Sequence, residues 1–217
     1  TEEYLFDPDI LSILFGATSA TQVPFLRKAM KEWNEKEHTG EVIAKFVVGT
    51  LKKILTTGDA ALSDSKDNWI KVAKSYIAKD NWILFSQVSS LSYYSTSKAY
   101  ITQGEERIFL NDKSDITEQA EKKLQMDKIR QKLAESFDSL DLIDRLKFFL
   151  EFQKVHYSTW KSTNIEHINP LFHRIDTALN SLKKVVEVKE SIEGDFSSLN
   201  IINLVHANQE ITRLIPM

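Results

Sequence analysis

From Asp138 to Trp160 the chain is apolar over more than half of a helical circumference, and such a segment is stable only where at least two neighbours cover it. At about 100° per residue, Leu142, Ile143, Leu146, Phe149, Leu150, Gln153, His156, Tyr157 and Trp160 share one face, which Phe148, Phe152 and Val155 widen. The remainder is a polar strip of Asp144, Lys147, Glu151, Lys154 and Ser158. The pattern predicts a central helix over 138–160. Gln153 and His156 lie on its apolar face, where an unpaired polar group costs about 1–3 kcal/mol, so each needs a buried partner or a cavity beside it.

The rest of the chain supplies covering helices. Six Gly and four Pro in 217 residues are too few for a turn-dense sandwich or barrel and fit long helices with short joins. Asp7-Pro8 starts a helix that Gly16 closes. Pro24 to Glu37 places Phe25, Leu26, Ala29, Met30 and Trp33 on one face, with Gly40 ending that segment. Glu41 to Thr57 is apolar nearly all round and stops at Gly58; its β-branched residues allow a strand, but its length indicates a buried helix.

A polar loop, Ser63 to Asp67, leads to a helix carrying Trp69, Val72, Ala73 and Tyr76. Another runs from about Asp80 to Tyr100, where a strand around Tyr93 to Ile101 is the alternative. Lys66-Asp67-Asn68-Trp69-Ile70 recurs letter for letter at Lys79-Asp80-Asn81-Trp82-Ile83. The offset falls well short of the roughly 20–50 residues of a solenoid repeat. Asp-Asn is therefore read as a helix-start signal used twice, with Trp69, Tyr76 and Trp82 assigned to the core. Asp115 with Glu118 has capping-box form and opens a Lys/Glu-rich helix to about Phe137. Asn169-Pro170 starts an amphipathic helix (Leu171, Ile175, Ala178, Leu179, Leu182, Val185, Val186) that ends before Gly194, and a last helix begins near Ser198. The expected fold is all-α, a multi-helix bundle or short α-solenoid-like array of seven to nine helices. It forms one domain over 1–217, or two packed halves, 1–103 and 115–217, joined by the loop 104–114.

The residues exclude much chemistry. Zero Cys removes disulfides, thiolate metal sites and cysteine nucleophiles, and fits an intracellular setting, cytoplasmic or nuclear. No apolar run approaches about 18 residues, so no transmembrane segment is expected, and no signal peptide is read. The start at Thr1 fits a domain excised from a longer chain. His173 and His206 fall off the apolar stripes, His38 and His167 sit near helix ends or in loops, and His156 alone lies on an apolar face with no helical His or Glu at ligand spacing. Phosphate-binding loops, nucleophile elbows and zinc-hydrolase motifs are absent, so no catalytic, metal or cofactor residue is assigned.

Charge is more informative. Between Lys45 and Gln103 stand eight Lys against four Asp, a balance of +4 inside a chain of net charge -3. Lys45, Lys52 and Lys53 cluster on the narrow polar side of one predicted helix, and Lys71 and Lys74 stand opposite the aromatic face of the next. These five are candidates for an anionic partner. Arg is absent from the region, which argues against bidentate phosphate or base recognition. Tyr93, Tyr94 and Tyr100 are interface candidates, since Tyr is enriched at interface centres. The expected function is a non-enzymatic helical scaffold or adaptor domain that binds a protein partner or self-associates. Nucleic acid or an anionic membrane surface bound through lysines is the alternative, and an enzyme whose carboxylates converge in the fold is a third.

Overall fold

In the computed structural model, residues 6–18, 20–33, 39–57, 63–102, 109–110, 116–159 and 165–190 are described. They are predominantly helical, with nine α-helices and one small sheet. The helices are α1 (Pro8–Leu14), α2 (Gln22–Trp33), α3 (Gly40–Thr56), α4 (Ser63–Tyr76), α5 (Ser86–Ser89), α6 (Glu118–Lys123), α7 (Met126–Ser139), α8 (Leu142–Tyr157) and α9 (Asn169–Glu190). A 3₁₀ helix, Lys79–Phe85, precedes α5, and the strands are β1 (Ser92–Tyr94), β2 (Ala99–Ile101) and β3 (Phe109–Leu110). The expectations for Gly58, Trp160, Gly194 and the helix from Ser198 lie outside the described residues.

Two compact units divide the chain. The first takes 1–36, 142–147 and 165–217, and the second takes 37–141 and 148–164. The segment 104–114, expected to join two halves, falls within the span of the second unit.

In the first unit, α1 is bounded as its sequence predicts. The Asp7 carboxylate accepts from the amides of Asp9 (2.8 Å) and Ile10 (3.0 Å), and Pro8 takes the first helical position. At the other end Gly16, at φ +56°, donates to Ile13 O while Ala17 donates to Ser12 O, a Schellman closure that favours glycine at the left-handed position. The predicted stripe of α2 (Phe25, Leu26, Ala29, Met30, Trp33) is buried, and so is that of α9 through Leu182 (Leu171, Ile175, Ala178, Leu179, Leu182), the side chains of Val185 and Val186 lying outside those described. Phe25 meets Phe172 edge-on at 5.8 Å. Arg174 ties α9 to the end of α1 and the start of α2 by donating to Phe15 O and to Gln22 Oε1.

The second unit is built on α3 against α7. Gly40 opens α3 instead of closing the preceding segment: Thr39 is the N-cap, and the Gly40 amide donates to Asp138 Oδ1 at 2.7 Å. A Cβ there would stand 2.3 Å from Ala134 O, so the helices approach closely because the residue has no side chain. Ile43, Val47, Leu51, Ile54 and Leu55 of α3, with Met126, Ile129, Leu133 and Phe137 of α7, enter the core.

The predicted helix 138–160 is instead α8 alone, because α7 runs to Ser139 and Leu140 turns extended. Its centre is covered as expected: Phe148, Phe149, Leu150, Phe152 and Gln153 are buried. Phe137 of α7, Tyr76 of α4 and Phe152 surround Phe148, and Phe46 of α3 meets Phe149. His156 is half-buried, with Thr50 Oγ1 at 3.4 Å and the Phe46 ring against it. Ser158, expected on the polar strip, is buried and accepts from Ser65 at 2.8 Å.

Three further expectations change. The polar loop 63–67 is the start of α4. The Lys/Glu-rich helix is two helices, α6 and α7, parted at Gln125 (φ +56°), and the N-cap is Thr117, with Asp115 outside the described residues. The helix expected to reach Tyr100 gives way to 3₁₀ and α turns and an antiparallel hairpin, the strand alternative, pairing Tyr93 with Tyr100. Short polar residues Ser95 to Ser97 and Lys98 at φ +49° make the turn, and the two rings pack at 5.4 Å across it.

Candidate functional site

The lysines fall into two places. Lys45, Lys52 and Arg130 line a small polar pocket of about 130 Å³ between α3 and the start of α7. Carboxylates answer these cations there: Lys45 meets Glu41 at 3.6 Å, Lys52 pairs with Glu121, and Arg130 reaches Glu41 and Asp127. Lys53 is exposed on the same helix. Lys71 and Lys74 of α4 line a second, larger depression of about 480 Å³ with Asp67, Ile70, Ser75, Trp82 and Ser89.

That groove follows from how α4 ends. The last carbonyls of a helix have no partner within it. Here the Trp82 indole N–H donates to Lys74 O (3.1 Å) and Ile77 O (3.0 Å), so the 3₁₀ helix folds back and its tryptophan caps α4. The Lys74 ammonium lies 5.5 Å from the centroid of the Trp82 ring and 5.9 Å from that of Phe85. Two hydrogen bonds and a cation fix the indole, yet it remains 37% exposed, and Ile83 beside it is 71% exposed. Asp67 is the one carboxylate among the lining residues. The Lys66 ammonium stands 3.4 Å from it, itself buried and donating to Leu91 O at 2.9 Å. With Asp67 so opposed, Lys71 and Lys74 leave the groove net positive.

Of the tyrosines, Tyr94 is exposed, Tyr93 is half-buried, and Tyr100 is 2% exposed beneath Tyr93. Tyr100 therefore offers no surface; it belongs to the core because β2 is the middle strand. Its hydroxyl meets no hydrogen-bond partner among the described residues. Burial first, and then the negative charge of Asp67, push its pKa up to about 12. His167 and His173 are exposed, while His38 and His206 lie outside the described residues. Among the described residues no three His, Asp or Glu gather to hold a metal ion, and no helix is long and apolar enough to cross a membrane.

Sequence reasoning found Lys71 and Lys74 but placed Trp82 in the core and passed over Ile83. No local signal separates the two tryptophans, because the same five residues surround each; the second copy differs in standing after the end of α4, in a 3₁₀ helix. No protein-family model, curated protein or solved structure matches the chain.

Proposed function

We propose that the chain is a non-enzymatic helical interaction module that holds a protein partner in the groove of α4 and the 3₁₀ helix. The observation that carries this reading is the Trp82 ring, fixed by its hydrogen bonds to Lys74 O and Ile77 O and still partly open to solvent beside Ile83. A tryptophan already held in place loses little rotamer freedom on binding, and interface hot spots are enriched in this residue. The lysines alone support only salt-sensitive, unspecific attraction. The groove residues supply an indole, one aliphatic side chain, two ammonium groups, one carboxylate and two hydroxyls, which together suit binding.

The test places a photo-crosslinking amino acid at Ile83 of the full chain, with the same residue at Ile13, which is 59% exposed in the first unit, as control. The expected result is one discrete protein adduct from position 83, identified by mass spectrometry and suppressed by unlabelled chain. Identical adducts from both positions would end the proposal.

A further inference from the structure

Resting on that reading, we infer that the groove's occupant is a short acidic segment of a partner protein that carries one bulky apolar side chain between carboxylates. Three features converge on this chemistry. Lys71 and Lys74 are three apart on α4, so their side chains rise from one face of the helix, roughly 5–6 Å apart at Cβ. Lys71 is exposed, and Lys74, a half-buried residue, has its ammonium held over the Trp82 ring. With the two lysines, Ile70 and Trp82 line a mainly apolar surface, and Asp67, Ser75 and Ser89 complete the lining.

Size selects a segment over a folded surface. A standard interface between folded proteins buries about 1,600 Å². A groove of about 480 Å³ seats one or two large side chains, in the range of small-ligand sites. Charge selects acid. The one lining carboxylate, Asp67, is already opposed by Lys66, whereas an incoming carboxylate gains the two remaining ammonium groups. The apolar residue is required because exposed lysines alone discriminate weakly, and the fixed indole provides the flat surface on which a Leu, Phe or Trp side chain packs. Anionic lipid and nucleic acid share the charge of such a segment. Lipid recognition draws on clusters of four to eight basic residues, and duplex or strand tracking on a longer basic stripe. Two lysines on one helical turn match neither.

The test is fluorescence anisotropy with the full chain and three labelled synthetic peptides: one with a central Leu flanked by Asp and Glu, the same peptide with Asn and Gln replacing the acids, and the same with Ala replacing Leu. Vesicles containing phosphatidylserine and a single-stranded RNA form the other arms. Binding of the first peptide alone is expected, at a Kd of roughly 10–100 µM for so small an interface. Lys71→Glu with Lys74→Glu should weaken it at least tenfold, and raising salt from about 50 to about 200 mM should weaken it in the same direction. Trp82→Ala should also abolish it. Because that variant removes the cap of α4, Trp82→Phe, which keeps a ring, is measured beside it and should restore part of the affinity. Unchanged binding in the double lysine variant overturns the inference. So does lysine-dependent binding of vesicles or RNA without binding of the acidic peptide. A discrete partner adduct from position 83 combined with silence toward every peptide overturns the acidic occupant while leaving the interaction reading standing.

Discussion

The words Lys-Asp-Asn-Trp-Ile at 66–70 and at 79–83 are identical, and the fold treats them as opposites. The first copy lies inside α4, where Lys66, Trp69 and Ile70 are buried and the Trp69 indole donates to Val47 O at 2.9 Å. The second forms a 3₁₀ helix with Lys79, Asp80 and Ile83 exposed, and its Trp82 indole is spent on the end of α4. In each copy the indole N–H finds a backbone carbonyl. What differs is the ring: Trp69 packs among Phe85 and Phe152, whereas Trp82 meets Lys74 and solvent. Local sequence sets neither helix type nor burial here. The difference comes from position along α4, since the first copy falls on the face toward α3 and α8 and the second begins after the helix has ended.

The widest separation between the copies should appear on truncating the tryptophans. Trp69→Ala is expected to cost about 3–5 kcal/mol in urea unfolding, the range for a large buried aromatic, and Trp82→Ala only about 1 kcal/mol, through the lost cap. Equal losses would break the comparison.

The acids should differ next, read through Tyr100. Its hydroxyl stays protonated in the fold to about pH 12, while an unfolded tyrosine ionises near 10. The folded pKa is raised, so this contribution is fully present below pH 10 and is lost as pH rises through 12, a change of about 2–3 kcal/mol at most. Tyr100→Phe should remove that alkaline component of the unfolding curve and leave neutral stability unchanged or slightly higher, because the hydroxyl has no partner among the described residues. Asp67→Asn should lower the tyrosine titration and Asp80→Asn should leave it in place; ultraviolet absorbance difference titration of each variant measures this.

A smaller contrast lies in the lysines. Lys66→Ala takes a donor from the buried carbonyl of Leu91 and should cost roughly 1–3 kcal/mol. Lys79→Ala, on an exposed side chain, should stay within about 0.5 kcal/mol by thermal unfolding. Smallest of all is Ile83→Ser, expected to leave stability within about 0.5 kcal/mol by thermal unfolding. A large stability loss there would mean that Ile83 packs inward.

Some elements were legible because their signals are local. Asp7, Pro8 and Gly16 bound α1 by satisfying orphan helix groups within a few residues, and the stripes of α2, α3 and α9 name their own buried faces. Gly40 was misread because a glycine between two helices stops one or starts the next equally well, and the deciding contact, with Ala134 and Asp138, comes from nearly a hundred residues away. Tyr100 joined the surface candidates because Tyr93, Tyr94 and Tyr100 look alike in sequence, while only strand pairing shows which of them lies in the middle of a sheet.

What the sequence determined by itself is the helical class, the apolar centre of α8 and the basic excess of residues 45–103, all of which depend on periodicity and composition. Tertiary structure alone decided which lysines pair with carboxylates, which of two identical pentapeptides is core, and that Trp82 lines a groove. Those outcomes depend on long-range neighbours, and a five-residue word holds too little apolar area to choose its own environment against the packing of whole helices.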